Sequence, residues 1–192
     1  MNMRIGCSSW SFHRTIEKGE LDLLGFIKKC GTELKLDGVE LLESHFSLTD
    51  LSYMRAIKRL VVDYGLDIVC VSVKNDFSSK ERDQLTKNFD NVCKWIDIAQ
   101  FLGAPLVRVF GIRNLADSSL NSRNLAQWNN AIHYLKKSTD YAKQRGIILG
   151  LENHRETAEE IMSMIDKVGS DWFRLTLDTG NFQKNIYDSI AQ

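Results

Sequence analysis

The sequence predicts a parallel α/β barrel of the (β/α)8 TIM type, with about six of its eight βα units present. Three observations point to it. Short apolar runs that end on a polar residue alternate with segments of helical period. The runs carry apolar side chains on one parity and polar or charged ones on the other. Two of the last runs place a carboxylate where the run stops: Glu152 in Leu149-Gly150-Leu151-Glu152-Asn153-His154, and Asp178 in Leu175-Thr176-Leu177-Asp178-Thr179-Gly180-Asn181-Phe182.

Strands are expected over residues 4–8, 38–42, 67–74, 106–110, 147–152 and 173–178. Between them lie apolar stripes at helical spacing. Leu51, Met54, Ile57, Val61 and Tyr64 form one stripe. Leu85, Phe89, Val92, Ile96, Ala99 and Leu102 form a second, and Leu125, Trp128, Ile132, Leu135 and Ala142 a third. Gly65, Gly103, Gly146 and Gly169 stand where helices should stop before the next strand, as C-capping glycines do. Alternation of strand and helix implies parallel pairing through right-handed crossovers, in a doubly wound sheet or a barrel.

Parity separates these two. Val39 and Leu41, Val107 and Val109, Leu149 and Leu151, and Leu175 and Leu177 give each strand one apolar face suited to packing under helices. The other parity carries Glu40, Ser72 with Lys74, Arg108, Glu152 and Asp178. A doubly wound strand is covered on both faces and should be apolar on both, whereas a barrel lumen turns polar at its active-site end. A closed barrel takes about 250 residues. The 192 residues are therefore expected to form one domain, 1–192, lacking its C-terminal quarter, with the first and sixth strands as open edges.

Composition narrows the function. With 43% apolar residues and one proline the chain can bury a core. Lys plus Arg and Asp plus Glu each number 25, so no basic excess favours nucleic acid as a partner. Cys7, Cys30, Cys70 and Cys93 are scattered without a CxxC pair and are expected to be buried, reduced thiols. No apolar run is long enough for a signal peptide or a membrane span, so a cytoplasmic protein with no membrane partner is expected.

Gly38-Val39-Glu40-Leu41, Val107-Arg108-Val109-Phe110-Gly111 and the two carboxylate segments together resemble the xylose isomerase-like TIM-barrel superfamily of sugar isomerases and epimerases, which is related to the type IV apurinic endonucleases. The resemblance runs from Ser8-Ser9-Trp10-Ser11-Phe12 onward. It implies a divalent metal, Mn²⁺ or Mg²⁺ foremost with Zn²⁺ or Co²⁺ as further options. Its ligands in that family are a Glu after the fifth strand, an Asp after the sixth, a His after the seventh and a Glu after the eighth. The first two match Glu152 and Asp178, and the others would lie beyond Gln192. The implied reaction moves a proton next to a carbonyl through an enediolate, with Glu152 as ligand and general base. Two oxygen ligands are few for such an ion, so weak metal binding and little turnover are expected of the chain by itself.

Each residue also has a plainer reading. Asp178 suits a turn or an N-cap, and Glu152 would pair with Arg108 or Lys74. Arg108 and Lys74 suit a substrate oxygen or phosphate, or a salt bridge to Glu40 or Glu152. Glu40 would line the lumen or touch substrate, and His154 would touch substrate or lie in a surface loop. Trp10 and Phe12 would wall a sugar pocket or cap the barrel. Asn181 stands where zinc-rich relatives often carry His, which argues against a trinuclear zinc site. His13 and His45 fall in loops at the same end, while His133, Trp95, Trp128 and Trp172 suit packing. The expected function is a metal-dependent sugar or sugar-phosphate isomerase or epimerase. A non-catalytic incomplete barrel that assembles with a second copy or with missing strands is the alternative, and an abasic-site endonuclease a weaker one.

Overall fold

The computed structural model describes residues 3–112, 125–154 and 156–181. In chain order the strands are β1 (Gly6–Ser8), β2 (Gly38–Leu42), β3 (Asp67–Ser72), β4 (Leu106–Phe110), β5 (Ile148–Glu152) and β6 (Phe173–Thr176). The helices are α1 (His13–Glu17), α2 (Leu23–Thr32), α3 (Leu51–Asp63), α4 (Arg82–Leu102), α5 (Leu125–Lys143) and α6 (Ala158–Val168). Their starts are fixed by side chains that satisfy free backbone N–H groups. Asp22 accepts from Gly25 N, Asp50 accepts from Tyr53 N, and Thr157 and Glu160 form a capping box at α6. At the other ends Gly65, Gly103, Gly146 and Gly169 all adopt positive φ, between 63° and 84°, as the sequence predicts.

The six strands form one parallel sheet in the order β1-β2-β3-β4-β5-β6. Each of α2 to α6 packs against the helix that follows or precedes it. The helices thus form one layer on one face, as in a barrel wall. Val39, Leu41, Val107, Val109, Leu149 and Leu151 are fully buried beneath them, together with Phe26, Ile96, Leu135 and Phe173.

Four strands are shorter than the apolar pattern suggests, β5 by a single residue at its start, and side chains explain two of them. Past Ser72 the Lys74 N–H donates to Glu43 Oε1 at 2.7 Å, which ends β3. Past Thr176 the Asp178 N–H donates to Asn153 Oδ1 at 2.7 Å, which ends β6. β1 begins at Gly6. Leu175 and Leu177, expected under helices, are 39% and 46% exposed, whereas Phe173 on the same face is fully buried, so the described helices cover the start of β6 and not its carboxyl end.

The cysteines are unpaired. Burial pushes the Cys30 and Cys70 thiols up to about 12 and Cys93 to about 11, so they stay protonated. Among the described residues no helix is long and apolar enough to cross a membrane.

Candidate active site

The carboxyl end of the sheet gathers four of the predicted side chains through strand register. Ser72 stands beside Arg108 across β3 and β4, and Phe110 beside Glu152 across β4 and β5. Glu152 shares the inner parity with Gly150, where an added Cβ would collide with Thr176 Oγ1, so the close approach of β6 to β5 requires glycine.

Arg108 is the hub. Its Nε lies 2.6 Å from Glu152 Oε2 and its Nη2 lies 3.7 Å from Glu40 Oε1. The first contact is a close ion pair rather than an aligned hydrogen bond. Glu40 in turn accepts a hydrogen bond from the Ser72 hydroxyl. The Phe110 ring lies 4.6 Å from the guanidinium carbon, and the His154 ring meets that phenyl edge-on at 5.2 Å. A guanidinium with a 10% exposed side chain would be costly to bury alone, and two carboxylates offset that cost.

Glu152 is held above the ordinary carboxylate range, chiefly by burial. The Arg108 charge pulls it down, and the negative charges of Asp178 and Glu40 push it up. Its Oε1 accepts from Asn181 Nδ2 at 3.3 Å, and the same amide donates to the Asn153 carbonyl at 2.9 Å. Asp178 lies exposed in the turn after β6, where its Oδ1 accepts the Gly180 N–H at 2.8 Å. The turn role and the place beside Glu152 therefore coexist.

Two asparagines, which the sequence pattern did not single out for this, set the rim. Asn153 accepts the Asp178 N–H at 2.7 Å and donates to the Asp178 carbonyl at 2.8 Å. Asn75 does the same for Phe110, accepting at 2.8 Å and donating at 2.9 Å. Each side-chain amide imitates one residue of a neighbouring strand and extends the sheet by one pairing. Both are 1% exposed. A buried polar residue directly after a strand was the available signal.

The other predicted residues stand apart from this cluster or beside it. Lys74 is exposed and makes no ion pair among the described residues, so the partner of Glu152 is Arg108 and not Lys74. Trp10 is 55% exposed and stacks on His13 at 4.2 Å, while Phe12 packs on Phe26 of α2 with ring centroids 5.6 Å apart. His45 is buried, with Nδ1 2.9 Å from Ser9 Oγ, and burial lowers its proton affinity. The His154 N–H donates to Glu156 Oε2 at 3.0 Å, and Glu156 Oε1 accepts the Ile112 N–H at 3.1 Å.

For a metal ion, Glu152 and Asp178 offer hard carboxylate oxygens close enough to repel one another. That donor type fits Mg²⁺ or Mn²⁺. Among the described residues no group of three or more His, Cys, Asp or Glu side chains assembles as a metal site. The fit is therefore one of donor type, with two ligands of the roughly six such ions take.

The family model of the xylose isomerase-like TIM barrel matches residues 27–192. A 3-dehydroshikimate dehydratase of Pseudomonas putida is 26% identical over 152 residues, which is 74% of this chain and 22% of that protein. The chain thus spans about a fifth of that relative's length. The D-psicose 3-epimerase of Clostridium cellulolyticum superposes with a TM-score of 0.78 at 16% identity, covering 98% of this chain and 69% of that one. A probable 3-DHS dehydratase of Bacillus anthracis superposes at 0.77 with 17% identity, covering 99% and 69%. At those identities the structural likeness is one of fold.

Proposed function

This chain belongs to the xylose isomerase-like TIM-barrel family, and on that premise we propose that it acts on a sugar or sugar phosphate, moving a proton at the carbon next to a carbonyl. The observation that carries the reading is Glu152, a half-buried carboxylate at the end of β5 between the Arg108 cation and the Asp178 anion.

Burial raises the proton affinity of Glu152, which favours its taking up a proton, and the Arg108 charge opposes that rise. On accepting the substrate proton it becomes neutral, which relieves its repulsion with Asp178 and Glu40. Arg108 retains Glu40 as a counter-charge, so the cluster does not strand a buried cation. Return of the proton to the neighbouring carbon isomerises the sugar. Return to the opposite face of the same carbon epimerises it, and calls for a second proton donor. Glu152 and Asp178 would hold a Mg²⁺ or Mn²⁺ ion, whose chemistry when bound is Lewis-acid stabilisation of charge on substrate oxygens.

The test is solvent exchange in D₂O with Mn²⁺, using a panel of ketoses and their phosphates and reading deuterium incorporation by NMR. Incorporation next to the carbonyl is expected, with a loss on the order of 10²- to 10⁴-fold in Glu152→Gln. Equal exchange in the variant would remove Glu152 from the reaction. The Pseudomonas putida relative favours a second reading, dehydration. There the same proton removal is followed by expulsion of a hydroxyl from the adjoining carbon, and the products are an unsaturated carbonyl compound and water. A new ultraviolet absorbance without reprotonated sugar would select it.

A further inference from the structure

The loop after β3, residues 73–80, is a rigid frame with a cation near each end. Val73, Asn75, Phe77 and Ser78 are each at most 1% exposed. Phe77 stacks on Tyr134 of α5 with ring centroids 5.6 Å apart. Asn88 of α4 accepts the Asp76 N–H at 3.0 Å, and Asn130 of α5 donates to the Ser79 carbonyl at 3.0 Å. With the Asn75 clasp on Phe110, the loop is held from three separate elements. A loop fixed this way loses little freedom when something binds to it.

Over this frame opens a cavity of about 640 Å³, whose lining includes Lys74, Lys80, Asp76, Ser79, Gln84 and Gln127. That volume falls within the roughly 300–1,000 Å³ typical of small-molecule sites. Both lysines are exposed, and neither ammonium has an ion-pair or hydrogen-bond partner among the described residues. The carboxylate in the lining, Asp76, turns to its own loop, where its Oδ1 accepts the Ser78 N–H at 2.9 Å and the Ser78 hydroxyl at 2.5 Å. The cavity therefore offers two uncommitted cations.

One residue of its lining, Asn75, ties it to the Arg108 cluster. Lys74 is two residues past Ser72, which binds Glu40, and Asn75 holds Phe110, whose ring lies against the guanidinium. We propose that this cavity binds the phosphate of a phosphorylated sugar whose carbonyl end lies at Glu152, an inference that rests on Glu152 being the proton-transfer base. A phosphate monoester carries a charge of about −1.5 to −2 near neutral pH, which two lysine point charges match. An unphosphorylated sugar would use neither.

The experiment is calorimetric titration of the chain with inorganic phosphate, with acetate, and with D-ribulose 5-phosphate against D-ribulose. It is repeated on the double variant Lys74→Ala/Lys80→Ala and on Glu152→Gln. Both lysines are exposed, and a thermal melt of the double variant verifies its fold. Expected are phosphate binding weakened at least tenfold in the lysine variant and unchanged within twofold in Glu152→Gln, and a tenfold or greater preference for the phosphorylated sugar that the lysine variant abolishes. Absent phosphate binding, or binding indifferent to the lysines, overturns the site. Acetate bound as tightly as phosphate overturns the ligand class. Lysine-dependent binding of the sugar phosphate without any solvent exchange would leave the phosphate site standing and overturn the role of Glu152 instead.

Discussion

Glu152 sits between two opposed effects, and their balance sets how the site responds to pH. Burial raises its proton affinity and Arg108 lowers it, with burial the larger. Its folded pKa therefore lies above the ordinary 4.5. Protonated Glu152 adds stability that is fully present below 4.5 and is lost as pH rises through the folded value, so the ionised base is held at a cost. Solvent exchange should rise with pH across that folded value. In Arg108→Met the opposing charge is gone, and the carboxyl titration followed by ¹³C NMR should move further up; a downward move would contradict the ion pair. Parity in the sequence places Glu40, Arg108 and Glu152 on one face, because a period of two is visible in a string of residues. Which cation reaches Glu152 is not visible there. Lys74 and Arg108 share the parity, and only the length and direction of the side chains in space select Arg108.

At the scale of elements the two asparagine clasps do what added strand residues would do. Loss of a clasp leaves a backbone N–H and carbonyl short of partners, which costs about 1–3 kcal/mol per buried group left unsatisfied. Asn75→Ala and Asn153→Ala should each lower the unfolding free energy read from urea denaturation by about 1–3 kcal/mol. Their effects on metal should differ. Asn153 fixes the backbone of Asp178, so Asn153→Ala is expected to weaken Mn²⁺ binding about tenfold by calorimetry, whereas Asn75→Ala, which fixes Phe110, should leave it within twofold. The carboxyl ends of helices were legible because a capping glycine at positive φ acts locally, within a turn. The ends of β3 and β6 were less so. The apolar pattern runs on through Val73 and Leu177, but Glu43 and Asn153 capture the next backbone N–H groups from other elements.

Across the whole molecule the single helical layer explains which leucines matter. Leu151 is fully buried under it, while Leu177, on the same parity one strand further, is 46% exposed. Leu151→Ala should cost about 2–5 kcal/mol and Leu177→Ala under about 1 kcal/mol, both read from chemical denaturation. Equal costs would mean that something covers Leu177. The barrel-like arrangement was readable because polar and apolar parities separate cleanly in the middle strands. The exposure of Leu175 and Leu177 was not readable, since parity says which face a residue takes and not whether a helix lies there. The strand order adds a consequence for how the chain acquires its shape. Every strand pairs with those next to it in sequence, so each pairing closes a single βα crossover and none waits on a segment further along the chain. Such a sheet can grow in one direction, each βα unit docking on the last as the polypeptide emerges from the ribosome.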